Sequence, residues 1–326
     1  NPFHYHDKTI ISVDTLKRDT EYRHYLETAY WDIIVIDEAH NVSFKGAQTM
    51  LKYKLASLLS RRSDALILLT ATPHNGDKES FASLMRMLDP TILPRKSDYT
   101  KQDVEHLFVR RFKKDVRDEI RQEFPERQVF RFRAKPSAAE ERAFATLANL
   151  NLNIDKDRRT GAEMLFRTIL EKSLLSSPAA CVQTVRERIS RLTKKDTNHP
   201  DISVLTELKI AVEAIAPDEV SKLNELVNRL KSDPIWQWHS DNPADRLVIF
   251  TERIETLKFL REHLAKKLGL KDNAVAILHG QLPDTEITKT VEDFGRSLSP
   301  LRLLIASDVA SEGINLHFQS HRLVHF

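Results

Sequence analysis

The sequence predicts an α/β protein with two parallel-sheet domains and a helical insertion between them. Three observations predict it. Continuous apolar segments alternate with helix-like stretches between Ile10 and Asp89. From about Asp103 to Lys231 the strand signal nearly disappears. From Leu247 the alternation returns. The corresponding divisions are residues 1–115, 116–235 and 236–326.

In the first domain the strand segments are "IISVD" (10–14), "DIIVID" (32–37) and "ALILLT" (65–70). They are continuous rather than alternating, the pattern of strands covered on both faces of a parallel sheet. Helices are expected over 45–62 and 79–89. "FPERQVFRFRAKP" then reads as an extended crossing into the helical region. There, "SAAEERAFATLANLNL" and "TGAEMLFRTILEKSLL" read as helices, and Ser177-Pro178 is an N-cap followed by proline at the first helical position. "DEVSKLNELVNRLK" places Val220, Leu223, Leu226, Val227 and Leu230 on one face. The second domain offers strands at 247–251, 275–280, 301–307 and 322–326. Between the first two, an apolar stripe of Ile254, Leu257, Leu260, Leu264 and Leu268 ends at Gly269, a natural helix stop. Both ends of the chain read as cut from something longer, because each falls in a strand-like segment.

Composition narrows the class. Apolar residues make up 41% and charged residues 30%, values of a globular rather than a disordered chain. With a formal net charge of only +3, affinity for nucleic acid must come from local clusters of Lys and Arg. Cys181 is the only cysteine, which excludes an intramolecular disulfide and a four-cysteine zinc site. A reducing, cytoplasmic setting fits, and no apolar stretch approaches membrane-spanning length. His4 and His6 are spaced like a ligand pair but lack partners nearby.

The chemistry concentrates where strands end. In open parallel sheets ligands sit beyond the carboxyl ends of the strands. Asp37 and Glu38 occupy that position after "DIIVI", and "ALILL" ends in Thr70-Ala71-Thr72. An acidic residue there can hold magnesium, and the next carboxylate can orient or deprotonate an attacking water. A helix cap is the plain reading of Asp-Glu alone. The hydrophobic strand, "DEAH" and a second strand ending in "TATP" together favour an NTP-hydrolysing centre.

These segments resemble motifs II ("VIDEAHN") and III ("LLTATPHNG") of superfamily-two helicases, and the residues C-terminal to them resemble the Swi/Snf-type branch. "FVRRFKKDV" (108–116) is similar to a segment of that branch, and "LEKSLLSSPAA" to the helical insertion of bacterial RapA-like members. "RLVIFTERIETLKFLREHL" resembles motif IV and "LLIASDVASEGINLHFQSHRLVHF" motif V. The resemblance implies two RecA-like domains, ATP and Mg2+ as cofactors, and movement along double-stranded DNA. Residue by residue, it implies that Asp37 coordinates magnesium, Glu38 activates water, His40 couples the nucleotide site to motif III, and Thr70 and Thr72 relay between domains. Glu312, Gly313 and Asn315 would face the nucleotide, with Gln319 beside them. Ser12, Asp14 and Thr15, together with Ser307 and Asp308, would lie along the nucleic-acid backbone.

Other assignments stay open. Gly313 and Asn315 are also turn residues, and His279-Gly280 is a nucleic-acid contact or only a strand-ending turn. Arg110, Arg111 and Lys113 in "RRFKKDVR", and the cluster "RERISRLTKK", contact phosphate or form solvated helix faces. Trp236 and Trp238 stack on a base or, as the packing reading prefers, join the helical region to the second domain. Two departures from the family stand out. No Gly-x-x-x-x-Gly-Lys-Ser/Thr occurs in the sequence, and the chain stops before the arginine-rich motif VI. The expected reading is the motor core of an ATP-dependent double-stranded DNA translocase, with this chain alone inactive. The alternatives are a non-catalytic nucleic-acid-binding or docking module and a DEAH-type RNA helicase. Subunits of a transcription or phage-defence assembly are the further partners that the branch implies.

Overall fold

In the computed structural model, residues 1–16, 20–44, 46, 50–72, 77–93, 99–112, 115, 128–152, 160–307, 316 and 320–326 are described. The chain divides into two compact units, Asn1–Arg127 and Gln128–Phe326. The division falls inside the segment "FPERQVFRFRAKP".

The first unit comprises α1 (Val13–Leu16), α2 (Thr20–Thr28), β1 (Trp31–Ile36), α3 (Met50–Leu59), β2 (Ser63–Leu68), α4 (Lys78–Leu88) and α5 (Lys101–Val104). β1 and β2 run parallel, in register from Trp31 with Ser63 to Ile36 with Leu68. Ile34, Ile36, Leu66 and Leu68 pack on a core with Ala39, Val42, Phe81, Leu84 and Met85. α4 starts where Asp77 accepts the Glu79 N–H at 3.0 Å, a carboxylate cap on the positive end of the helix.

Two expectations for this unit are corrected. Residues 10–14 are not a strand. Ile10 and Ile11 are exposed. The Ser12 Oγ accepts the Asp14 N–H at 3.2 Å, and its carbonyl accepts from Thr15 and Leu16 at 3.1 and 3.2 Å. A serine that takes up local N–H groups turns the chain into a helical turn at the point where a strand would continue. Nor, among the described residues of this unit, are both faces of β1 and β2 covered. Ile33 and Val35 are 57% and 54% exposed, and Ile67 and Leu69 are 44% and 48% exposed. A continuous apolar run is compatible with one packed face and one open face, and the sequence pattern does not separate the two.

The second unit begins with α6 (Ala138–Ala148), α7 (Thr160–Ser176), α8 (Pro178–Thr193), α9 (Asp201–Glu213) and α10 (Ser221–Ser232). It continues through β3 (Arg246–Thr251), α11 (Ile254–Leu268), β4 (Val275–Leu278), α12 (Asp284–Gly295), β5 (Leu303–Ser307) and β6 (Ser320–His325). The four strands are parallel in the order β4-β5-β3-β6. Here both faces are covered. Leu247, Ile249, Leu303 and Ile305 face one core, while Val248, Phe250, Leu304 and Ala306 join Leu278 and Phe294 in another.

The helical region and this sheet share the larger core. Leu147, Leu170, Val185, Leu205 and Leu223 from the helices belong to one cluster with Leu247, Ile249, Leu257 and Leu260. Each such leucine contributes about 1.5–3 kcal/mol when fully buried. A polar link reinforces the packing: the Ser176 and Ser177 hydroxyls each lie 2.7 Å from Thr256 Oγ1 of α11. Ser177 also caps α8, accepting the Ala180 N–H at 3.2 Å, with Pro178 at the first helical position. Gly269 ends α11 at φ 69°, a left-handed position that costs glycine no Cβ clash.

Arg246 is fully buried at the start of β3. Its guanidinium donates to the carbonyls of Pro243, Asp293, Phe294 and Arg296 and lies over the Phe294 ring. The charge is thereby met by the carbonyl-rich, negative end of α12. Trp238 is buried in the larger core, its indole N–H donating to the Asp245 carbonyl at 2.7 Å. Base stacking by Trp238 is excluded by that burial. Trp236 packs edge-on against Phe130 and Phe132.

Candidate active site

The site is built at the carboxyl end of the first sheet. Beyond the last paired residues, the ladder carries on through two more bonds. The Leu69 N–H donates to the Ile36 carbonyl, and the Ala39 N–H donates to the Leu69 carbonyl, both at 2.9 Å. These bonds hold "DEAH" against the end of the neighbouring strand. Ala39 is fully buried and anchors the turn, while Asp37 and Glu38 stay exposed.

Glu38 adopts φ 47°, ψ 47°, the only left-handed non-glycine backbone among the described residues. For a residue with a Cβ this conformation costs about 1–2 kcal/mol. The turn that imposes it is closed by the Asn41 N–H to the Glu38 carbonyl (2.9 Å) and the Val42 N–H to the Ala39 carbonyl (3.0 Å). The Glu38 N–H in turn donates to Asp37 Oδ1 at 2.8 Å.

This backbone brings three side chains together. His40 Nδ1 lies 3.2 Å from Glu38 Oε2 and 3.1 Å from Thr70 Oγ1. Thr70 Oγ1 also accepts the Thr72 N–H at 3.2 Å. One imidazole nitrogen therefore bridges the carboxylate after β1 and the hydroxyl after β2. With a proton on Nδ1 it can donate to either oxygen. Without one it can only accept from Thr70, and it then faces the Glu38 carboxylate with a lone pair.

Asp37 offers an exposed carboxylate with one oxygen engaged by the Glu38 N–H. Oxygen donors of this kind suit a hard cation that keeps several waters. Among the described residues, no group of three or more His, Cys, Asp or Glu side chains is arranged to hold a metal ion on its own.

The other predicted residues lie at scattered positions. Ser12 spends its hydroxyl capping α1, Asp14 pairs with Lys52 at 3.0 Å, and Thr15 is exposed on the same short helix. Arg110 and Arg111 are exposed, with the Arg110 guanidinium 4.5 Å above the Phe112 ring. In the second cluster Arg186 pairs with Glu213 at 2.7 Å and Arg188 lies over Phe166, the behaviour of a helix face. His279 comes directly after β4, and its carbonyl accepts the Leu282 N–H at 3.1 Å, so it does form a strand-ending turn. Ser307 is buried at the end of β5, opposite Thr251. Lys113, Asp308, Glu312, Gly313, Asn315 and Gln319 lie outside the described residues.

Sequence reasoning overlooked a buried group beside the site. Ser43, Ser80 and Ser83 are each at most 1% exposed and are joined to the main chain of His40 and Phe44. Single serines carry no signal of their own, and only the packing of α4 on the "DEAH" turn brings these three together.

Residues 2–201 match the SNF2-related domain, and residues 221–324 match the helicase conserved C-terminal domain. The chain is 22% identical to the RNA polymerase-associated protein RapA of Vibrio campbellii over 362 residues, covering 100% of this chain and 35% of that protein. The RapA of Pasteurella multocida is 22% identical, over 98% of this chain and 34% of that protein. The chain thus spans about a third of the length of these relatives. Among solved structures, the Sulfolobus solfataricus SWI2/SNF2 ATPase core in complex with dsDNA aligns with a TM-score of 0.40 and 22% identity. That alignment covers 96% of this chain and 60% of the other.

Proposed function

The chain belongs to the SNF2-related family, and from that membership we propose that it forms part of the motor core of an ATP-dependent translocase acting on double-stranded DNA. The observation that carries the reading is the His40 bridge between Glu38 and Thr70.

In this proposal Asp37 holds Mg2+ through its exposed carboxylate, and the ion supplies charge neutralisation at the phosphates of ATP. Glu38 orients the attacking water and accepts its proton. His40 Nδ1–H is shared with Thr70. When Glu38 turns toward water, the imidazole hydrogen bond passes to Thr70, whose hydroxyl also holds the Thr72 amide. The state of the carboxylate thus reaches the segment after β2. Glu312, Gly313 and Asn315 are proposed to bind the nucleotide. Ser12, Thr15, Arg110, Arg111, Lys113, His279, Ser307 and Asp308 are proposed to track the DNA backbone. Nucleotide-driven closure of two domains would then bias a two-state equilibrium and change the DNA contacts with it. The RapA relatives are named as RNA polymerase-associated, which makes a transcription assembly the partner of choice.

The test is phosphate release from the longest chain that the gene encodes. Duplex DNA is expected to stimulate it, and Glu38→Gln to lower it by about 10²–10⁴-fold, the usual contribution of a general base. Stronger stimulation by RNA than by duplex DNA would overturn the substrate assignment, and undiminished release by Glu38→Gln the catalytic one. The 326-residue chain by itself is expected to release no phosphate, since its sequence holds neither a phosphate loop nor an arginine-rich motif.

A further inference from the structure

We propose that Ser43 and Ser80 form a clamp that positions the main chain of His40, and through it the imidazole that Glu38 and Thr70 share, while the neighbouring Ser83 holds Phe44. The inference rests on the catalytic reading of that imidazole.

The hydrogen bonds form two arms that meet at Ser80, each with one possible direction. The Ser43 hydroxyl donates to the His40 carbonyl at 2.8 Å. The Ser80 hydroxyl donates to Ser43 Oγ at 2.8 Å. The Ser83 hydroxyl donates to the Ser80 carbonyl at 2.6 Å, and Ser83 Oγ accepts the Phe44 N–H at 2.9 Å. In each arm the last acceptor is a main-chain carbonyl, His40 in one and Ser80 in the other, which can only accept, so every hydroxyl proton has one place to go. All three donors are satisfied although the side chains are at most 1% exposed. The Ser80 and Ser43 hydroxyls, aligned toward the His40 carbonyl, reinforce one another in a low-dielectric interior.

Packing alone does not call for this arrangement. Ala39, Ala56 and Ala82 fill neighbouring positions of the same core without any polar atom. A buried hydroxyl costs free energy unless it is bonded, so three together signal that the connection matters. Ser83 makes the ordinary bond of a helical serine, back to the carbonyl three residues earlier. Ser80 does not, since its hydroxyl reaches across to the "DEAH" turn.

The clamp joins two parts of the proposed mechanism. α4 begins directly after "TATPHNG", and the His40 carbonyl belongs to "DEAH". A displacement of α4 is therefore delivered to the His40 backbone by Ser80 and Ser43. The effect is large for a small movement, because His40 Nδ1 stands 3.1 Å from one partner and 3.2 Å from the other. A shift of a few tenths of an ångström, on the order of the spread of ordinary hydrogen-bond lengths, changes which partner is preferred. Ser43 and Ser80 are positioning residues in this account.

The test uses the 326-residue chain labelled with 15N-histidine, with the His40 ring resonances assigned by loss in His40→Gln. Ser80→Ala and Ser43→Ala are expected to move the His40 Nδ1 and Nε2 shifts and the tautomer ratio at fixed pH. Ser83→Ala, equally buried but on the arm that ends at Phe44, is expected to lower stability and leave those shifts in place. The double variant Ser43→Ala/Ser80→Ala removes the pair without leaving a lone hydroxyl, and it covers the case in which a single variant folds poorly. Unchanged His40 resonances in Ser80→Ala and the double variant would overturn the clamp, as would an equal movement in Ser83→Ala. In the longest chain that the gene encodes, Ser80→Ala is expected to lower kcat by about tenfold with KM for ATP unchanged. If the wild-type long chain releases no phosphate, the catalytic reading fails, while the 15N readout still decides the clamp.

Discussion

At the scale of single residues, the site was legible in part. The sequence placed Asp37, Glu38 and His40 at a strand end and Thr70 at the next, and the structure joins His40 to Glu38 and to Thr70. This was readable because strand ends of a parallel sheet converge whatever the details of the fold. The left-handed backbone of Glu38 was not readable, since the sequence there has no glycine or asparagine to announce it. That conformation has a testable consequence. Glu38→Gly should raise the stability of the first unit by about 1 kcal/mol, the lower end of the left-handed penalty, in urea titrations followed by the fluorescence of Trp31 in a Trp236→Phe/Trp238→Phe background. On the proposed function, the same substitution should also lower phosphate release from the longest chain that the gene encodes. A loss of stability instead would show that the Glu38–His40 pairing outweighs the backbone strain.

At the scale of elements, the second sheet matched its apolar pattern closely, because both of its faces are covered. The first strand-like run failed because Ser12 offers the backbone a competing hydrogen bond, and local capping chemistry outweighed an apolar stretch of a few residues. α8 carries a built-in reporter. Cys181 is fully buried there, and burial pushes its thiol up to about 11, against an ordinary 9.0, with a hydrogen bond to Ser173 opposing the shift. Thiol reagents at pH 8 should therefore label Cys181 only when the second unit opens. Because the folded state holds this proton more tightly than the unfolded chain, the associated stability is complete below pH 9 and is lost as pH rises toward 11. Urea midpoints should fall across that window in the wild-type chain, and Cys181→Ala should flatten the fall.

At the scale of the whole molecule, the compact units and the family matches divide the chain differently. The SNF2-related match runs to residue 201 and the helicase C-terminal match begins at 221, whereas the compact units divide at Arg127 and Gln128. The helices α6 to α10 pack with the second sheet, and no sequence pattern shows which neighbour a helical stripe will bury against. Two calorimetric transitions should result, and Arg246→Leu should move only the one that belongs to the second unit. Its loss is expected at about 3 kcal/mol, since the charge-assisted bonds to the Pro243 carbonyl and to the end of α12 disappear together. A single transition shifted by both Glu38→Gly and Arg246→Leu would refute the division. The apolar side of the first sheet, with Ile33, Val35, Ile67 and Leu69 exposed in this 326-residue chain, bears on the chain's own colloidal behaviour. Two molecules that meet there remove both patches from water, an attraction of short range that weakens on cooling. A net charge of +3 opposes it with little long-range repulsion. Cold, dilute solutions should therefore keep the chain dispersed, and warming or concentrating them should make it self-adhere through that side.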